Sequence, residues 1–207
     1  MNTKVSLALG GASVAGTTAL GGYYYLSSDN ASIQTSLKGY RLISNLSREA
    51  RAKQWEEELE SDFSQISKDI PDLKGVSDKA AGGKKLEAWC SKQMSLNSKE
   101  NSETLALVKK YCLVRSISNQ LSRKGISLLG DDEGQWKSTY GKRKSESSSR
   151  SDVNLEGEWQ SATEEKDLPV IKSWCSSNRE RDFIAADSSN LYQRVLLWCT
   201  ADAVVIS

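Results

Sequence analysis

Four cysteines are the side chains of this sequence best equipped for chemistry, and each follows an aromatic ring: Trp89-Cys90, Tyr111-Cys112, Trp174-Cys175 and Trp198-Cys199. Thiols can ligate zinc, act as nucleophiles or close disulfides. Structural zinc usually takes closely spaced C-x2-4-C pairs, and none occurs here, so no metal site is expected. A nucleophilic thiol usually leans on a histidine base, and the chain has no histidine. The same absence removes Ser-His-Asp catalysis and the commonest metal ligand. Disulfides are the reading taken, with buried free thiols beside aromatic rings as the alternative.

The order of landmarks narrows the pairing. Lys38-Gly39-Tyr40-Arg41-Leu42-Ile43 returns as Lys124-Gly125-Ile126-Ser127-Leu128-Leu129, and Trp55 returns near Trp136. Leu86-Glu87-Ala88-Trp89-Cys90 returns as Ile171-Lys172-Ser173-Trp174-Cys175, and Val108 to Cys112 returns as Val195 to Cys199. A long period with two copies reads as a duplicated domain, not a solenoid. A duplicated unit carries its bond with it, which pairs Cys90 with Cys112 and Cys175 with Cys199. Closing either loop stabilises its half by ~3.4 kcal/mol in the chain-entropy picture.

Other groups that could do chemistry have plainer readings. Glu56, Glu57, Glu58 and Glu60 read as solvated charges on an exposed helix face. Lys142-Arg143-Lys144 is a short basic cluster beside serines and reads as solvated loop. No phosphate-binding loop occurs, and no cofactor is called for. Asn30-Ala31-Ser32 and Asn45-Leu46-Ser47 fit a glycosylation acceptor only in a host with that machinery. Trp55, Trp89, Tyr111, Trp136, Trp174 and Trp198 are expected as core aromatics, since their helical spacing favours packing over a ligand groove.

These groups have to be positioned by helices. Trp55, Leu59, Phe63, Ile66 and Ile70 share one face of a helix that starts at an Ser47 N-cap and ends before Pro71. A second helix is expected over 84–94, a turn over 95–101 and a third helix over 102–121 with Leu107, Tyr111, Val114, Ile117 and Leu121 inward. The last two would form a hairpin tied by Cys90–Cys112. In the second half, helices are expected over 135–144, over 167–175 with Pro169 in the first turn, and over 190–203 with Leu191, Val195 and Trp198 inward. The run from Arg143 to Asp152 reads as a mobile loop. The segments after Gly39 and Gly125 are too short to propose a sheet. The expected fold is all-α: an N-terminal transmembrane helix over 1–29, then related helical units over 30–122 and 123–207.

Charged residues make up 27% of the chain, yet the formal net charge is only +1, so no nucleic acid partner is expected. From Val5 to Leu26 the chain runs 22 residues without a charge. About 20 apolar residues suffice for a helix to cross a bilayer. Lys4 before the run favours N-inside and C-outside, and Tyr23, Tyr24 and Tyr25 suit the far interface. The reading taken is an uncleaved signal-anchor. A cleaved signal peptide and a Gly-rich buried tail are the alternatives. Ala8, Ala12 and Gly16 would let two anchors approach as a homodimer, though small residues are common in such segments.

Taken together, the Gly/Ala-rich N-terminal run, Lys-Gly-Tyr-x-Leu-Ile, the Trp55 helix, Leu-x-x-Trp-Cys and Val-x-x-Tyr-Cys resemble large paralogous families of uncharacterised proteins in haemotropic mycoplasmas. The resemblance covers most of the chain on loose motifs, and the Ser145–Ser151 run fits the internal repeat poorly. It implies a surface-exposed protein in contact with a host molecule or antibody, and it brings no catalytic residues. The expectation is a non-enzymatic protein of the cell membrane, single-pass, with its C-terminal bulk outside. An extracytoplasmic hydrolase without a recognisable motif and a structural membrane component are the alternatives.

Overall fold

A computed structural model describes residues 31–201. The expected signal-anchor and the apolar Val204–Ile206 tail lie outside the described residues. Among the described residues no helix is long and apolar enough to cross a membrane.

The described residues are helical, without named strands. The order is α1 (Ile33–Ser36), α2 (Arg48–Ser61), α3 (Phe63–Asp69), α4 (Lys79–Gln93), α5 (Ser102–Tyr111), α6 (Ile117–Arg123), α7 (Glu133–Ser145), α8 (Glu164–Asn178) and α9 (Leu191–Cys199). Short polar side chains start several of them by accepting an otherwise unpaired N–H. Ser32 accepts from Thr35, Ser47 from Ala50, Asp78 from Ala81, Ser116 from Asn119 and Asp132 from Gln135.

Two hydrophobic cores form. One runs from Ile33 to Cys112, the other from Ile117 to Cys199. The main chain makes the same bonds in both halves. Ile33 N donates to Leu96 O at 2.8 Å, and Ile117 N donates to Arg181 O at 2.9 Å. Gln34 N bonds Met94 O as Ser118 N bonds Arg179 O, and Ser98 N bonds Ala31 O as Phe183 N bonds Arg115 O. Ile43 N donates to Cys112 O at 3.0 Å where Leu129 N donates to Cys199 O at 2.8 Å. Gly39 and Gly125 turn the chain with φ of 92° and 74°, a region open to glycine. The stretches that follow pair through isolated bridges, Leu42 with Leu113 and Leu128 with Thr200. Ile117 and Leu121 sit in the second core, so α6 packs with the second half, whereas the expected boundary between 122 and 123 fell near its end.

Several expected helices divide differently. The 47–70 stretch breaks at Asp62, whose φ of −156° and ψ of 41° re-aim the chain between α2 and α3. The break turns Phe63 outward to 37% exposure while Trp55, Leu59, Ile66 and Ile70 stay buried. The 102–121 helix stops at Tyr111 because its exit is already bonded: Ile43 claims the Cys112 carbonyl, and Val114 N donates to Arg41 O. The α8 helix starts earlier than expected, so Pro169 lies inside it rather than in its first turn. The last helix ends at Cys199, and Ala201 is exposed beyond it.

Helix α4 crosses α2 closely. A Cβ at Gly83 would lie 3.1 Å from Glu56 N and 3.2 Å from the Trp55 carbonyl carbon, so glycine permits the approach.

Candidate functional site

Both expected cysteine pairs are bonded. Cys90–Cys112 spans 5.9 Å between Cα atoms and Cys175–Cys199 spans 5.7 Å. The first ties α4 to the end of α5, the second ties α8 to the end of α9. No free cysteine is present, and among the described residues no group of His, Cys, Asp or Glu gathers to hold a metal ion.

The aromatic neighbours divide. Trp55, Tyr111, Trp136, Trp174 and Trp198 are buried. Trp89, expected in the core, is only half-buried and packs against its rim. Trp159, which the spacing patterns did not single out, stacks on Trp198 at 6.3 Å between ring centroids and meets Tyr140 edge-on at 5.5 Å. It lies outside both aromatic-cysteine motifs and outside any helical stripe, so no periodicity signals it.

Glu58 corrects the reading of an exposed acidic face. Only 2% of it is exposed, between α2 and the second half. It accepts from Arg115 and from Arg123, both little exposed. Glu57 accepts from Gln120 and Lys124, and Gln54 Oε1 accepts from Ala185 N at 2.8 Å. Loss of hydration pushes the Glu58 carboxyl up from its usual range, against the pull of both guanidiniums. The same burial pushes Arg115 down. This cluster fixes the halves to one another. Its signal was legible only as charge, since Arg115 comes from the link before α6 and Arg123 from the end of α6, 57 and 65 residues away.

The run read as a mobile loop is anchored through two arginines. Arg143 is fully buried and donates to Leu197 O. Arg150 is held by Asp167 and by the Glu156 and Gly157 carbonyls, with its guanidinium 4.9 Å from the Trp159 ring centroid. Burial raises the Asp167 carboxyl, but bonds from Arg150 and Tyr140 lower it further, and the net shift is down. Tyr140 is pushed up to about 12, by burial first and then by its bond to Asp167. Helix α7 takes in the start of the expected loop as far as Ser145, and a short 3-10 turn over Arg150–Val153 takes in its end.

What the protein exposes differs between halves. In the first half Arg51 bonds the Ser44 carbonyl and pairs with Glu87. At the corresponding place in the second half, Trp136 bonds the Gly130 carbonyl, and Asp132 caps α7 instead. A cleft of about 290 Å³ opens there, lined by Gly130, Trp136, Lys172, Arg179 and the Cys175–Cys199 pair. A wider groove of about 670 Å³ runs along the opposite side of α8, past Trp174, Asn178, Arg181 and Arg194. Ser177 Oγ donates to Ser173 O at 2.9 Å. These surfaces can hold a ligand through charge and hydrogen bonds.

No family model, curated protein or solved structure matches the chain.

Proposed function

We propose that this is a membrane-anchored, outward-facing helical protein that works in host interaction or antigenic display, without catalysing a reaction. The observation that carries the reading is one disulfide in each half. Such bonds form and persist in oxidising surroundings outside the cytosol. The uncharged Val5–Leu26 run supplies an anchor of sufficient length, and the membrane is its partner there. Beyond the anchor, the stapled double unit presents charged faces and open grooves to a host surface molecule or an antibody.

Protease treatment of intact cells tests this directly. The expected outcome is release of a fragment that holds both disulfides under non-reducing conditions, together with an intact N-terminus in the membrane fraction. Full protection of the chain in intact cells rejects the outward orientation. A mature start beyond Leu26 rejects the anchor and replaces it with a cleaved signal.

A further inference from the structure

The groove beside α8 marks the point where the two halves part in chemistry. Matching main-chain bonds set the register: Leu96 O accepts from Ile33 N, and Arg181 O accepts from Ile117 N. Arg181 therefore stands where the first half has Leu96. The matched disulfides align Cys199 with Cys112, which places Arg194 where the first half has Leu107. Leu96 and Leu107 pack against the first core. In the second half the same two places carry guanidiniums that line a groove of about 670 Å³. That size falls among small-molecule sites, roughly 300–1,000 Å³.

The cations are incompletely used by the protein. Arg194 Nε is buried from water without a hydrogen-bond partner. Its Nη1 makes a 3.3 Å bond to the Asp152 carbonyl, and its guanidinium lies 5.8 Å from the Trp174 ring centroid. Arg181 is exposed and reaches Asn178 Oδ1 at 3.3 Å. No carboxylate lines the groove. Asp187, which feels the charge of Arg181, is already satisfied by Ser189 and the Leu191 N–H. A carboxylate or sulfate is the group a guanidinium holds best, through its planar fork.

The remaining walls narrow the ligand. Ser173, Ser177 and Asn154 are exposed polar groups, while Pro169 and Val170 give an apolar edge. Alternating hydroxyl and amide partners beside an apolar strip suit a ring that carries hydroxyls on its rim and C–H groups on its face. A peptide added as a strand would need an open strand edge, and the described residues contain only isolated bridges. We infer that the second half carries a binding site for an acidic saccharide, with Arg194 and Arg181 taking its carboxylate or sulfate. This deepens the proposed display function by naming a ligand class, and it rests on that reading only for where the ligand is met.

The test uses the full oxidised chain in detergent and does not depend on its orientation in cells. Galacturonic acid and galactose 6-sulfate are titrated against galactose and a short acetylated aspartate peptide, with tryptophan fluorescence and calorimetry as readouts. The acidic sugars are expected to bind, and galactose to bind at least about ten-fold more weakly. Arg194→Leu and Arg181→Leu install the first-half residues at the matched positions. Each is expected to weaken acidic-sugar binding by about ten-fold while both disulfides and the melting temperature are kept. If Arg194→Leu does not fold, the exposed Arg181→Leu decides alone. Absent binding of both acidic sugars, equal binding of galactose, tighter binding of the peptide, or undiminished binding in the folded variant overturns the site.

Discussion

Asp69 shows how a partly buried carboxylate comes to matter in this protein. It accepts from the buried Tyr111 hydroxyl and, at 3.0 Å, from Lys110, with Gln65 bonding its other oxygen. The Tyr111 bond first, then the Lys110 bond, hold the carboxyl down at about 2 against a usual 3.8. A carboxyl lowered on folding stabilises the native state above its unfolded value and loses that contribution as pH falls through the folded one. Asp167 and Asp187 are lowered in the same sense, whereas Glu58, raised by burial, works oppositely. Stability should therefore decline as pH falls from about 4 toward 2, and Asp69→Asn should flatten part of that decline. Urea midpoints across this range check it; an unchanged slope in Asp69→Asn would show that the bond to Tyr111 carries no acid sensitivity. None of this was legible from composition, because Asp69 and Tyr111 lie 42 residues apart and meet only after α3 and α5 have packed. The groove arginines were equally silent. Arg181 and Arg194 stand out only once the register of the two halves is known in three dimensions and leucine is seen at the matched places.

At the scale of elements, the close crossing of α2 and α4 is decided by Gly82 and Gly83. Glycine costs about 1 kcal/mol in a helix interior relative to alanine, so two in succession need a packing reason. The reason is contact with α2: a Cβ at Gly82 would sit 2.3 Å from a methyl of the buried Leu59, and one at Gly83 would meet α2 backbone. Gly83→Ile should push the helices apart and lower stability by about 1–3 kcal/mol, the range for overpacking. Chemical denaturation with an intact Cys90–Cys112 bond is the measurement; a stability equal to the parent would mean that the crossing is loose. Helix identity was readable from periodicity, since Trp55, Leu59, Ile66 and Ile70 are buried as the spacing predicts. Helix ends were not. The break at Asp62, the stop at Tyr111 and the anchoring of Arg143 and Arg150 are imposed by partners distant in sequence, which a local pattern does not contain.

The described residues form two stapled units joined by a polar seam, and the seam decides whether they unfold together. Ile184 packs against the first core, Gln54 holds the Ala185 N–H, and Arg41 pairs with Asp182 at 2.5 Å on the exposed rim. The centre is Glu58 between Arg115 and Arg123. An exposed pair such as Arg41–Asp182 contributes little, whereas breaking a buried one leaves charge without compensation. Glu58→Ala leaves the little-exposed Arg115 without a carboxylate and Arg123 with only Asp62 at 3.4 Å, and should cost about 3 kcal/mol at the seam. Each half keeps its own core and its own disulfide, so the loss falls on their coupling rather than on either unit. Calorimetry of the oxidised parent should show one cooperative transition, and Glu58→Ala should separate it into two. Adding Arg115→Met and Arg123→Met to Glu58→Ala removes the uncompensated charge and should bring the lower transition back toward the upper one. A single unshifted transition in Glu58→Ala would place the coupling in the apolar contacts of Ile184 instead of the ion cluster.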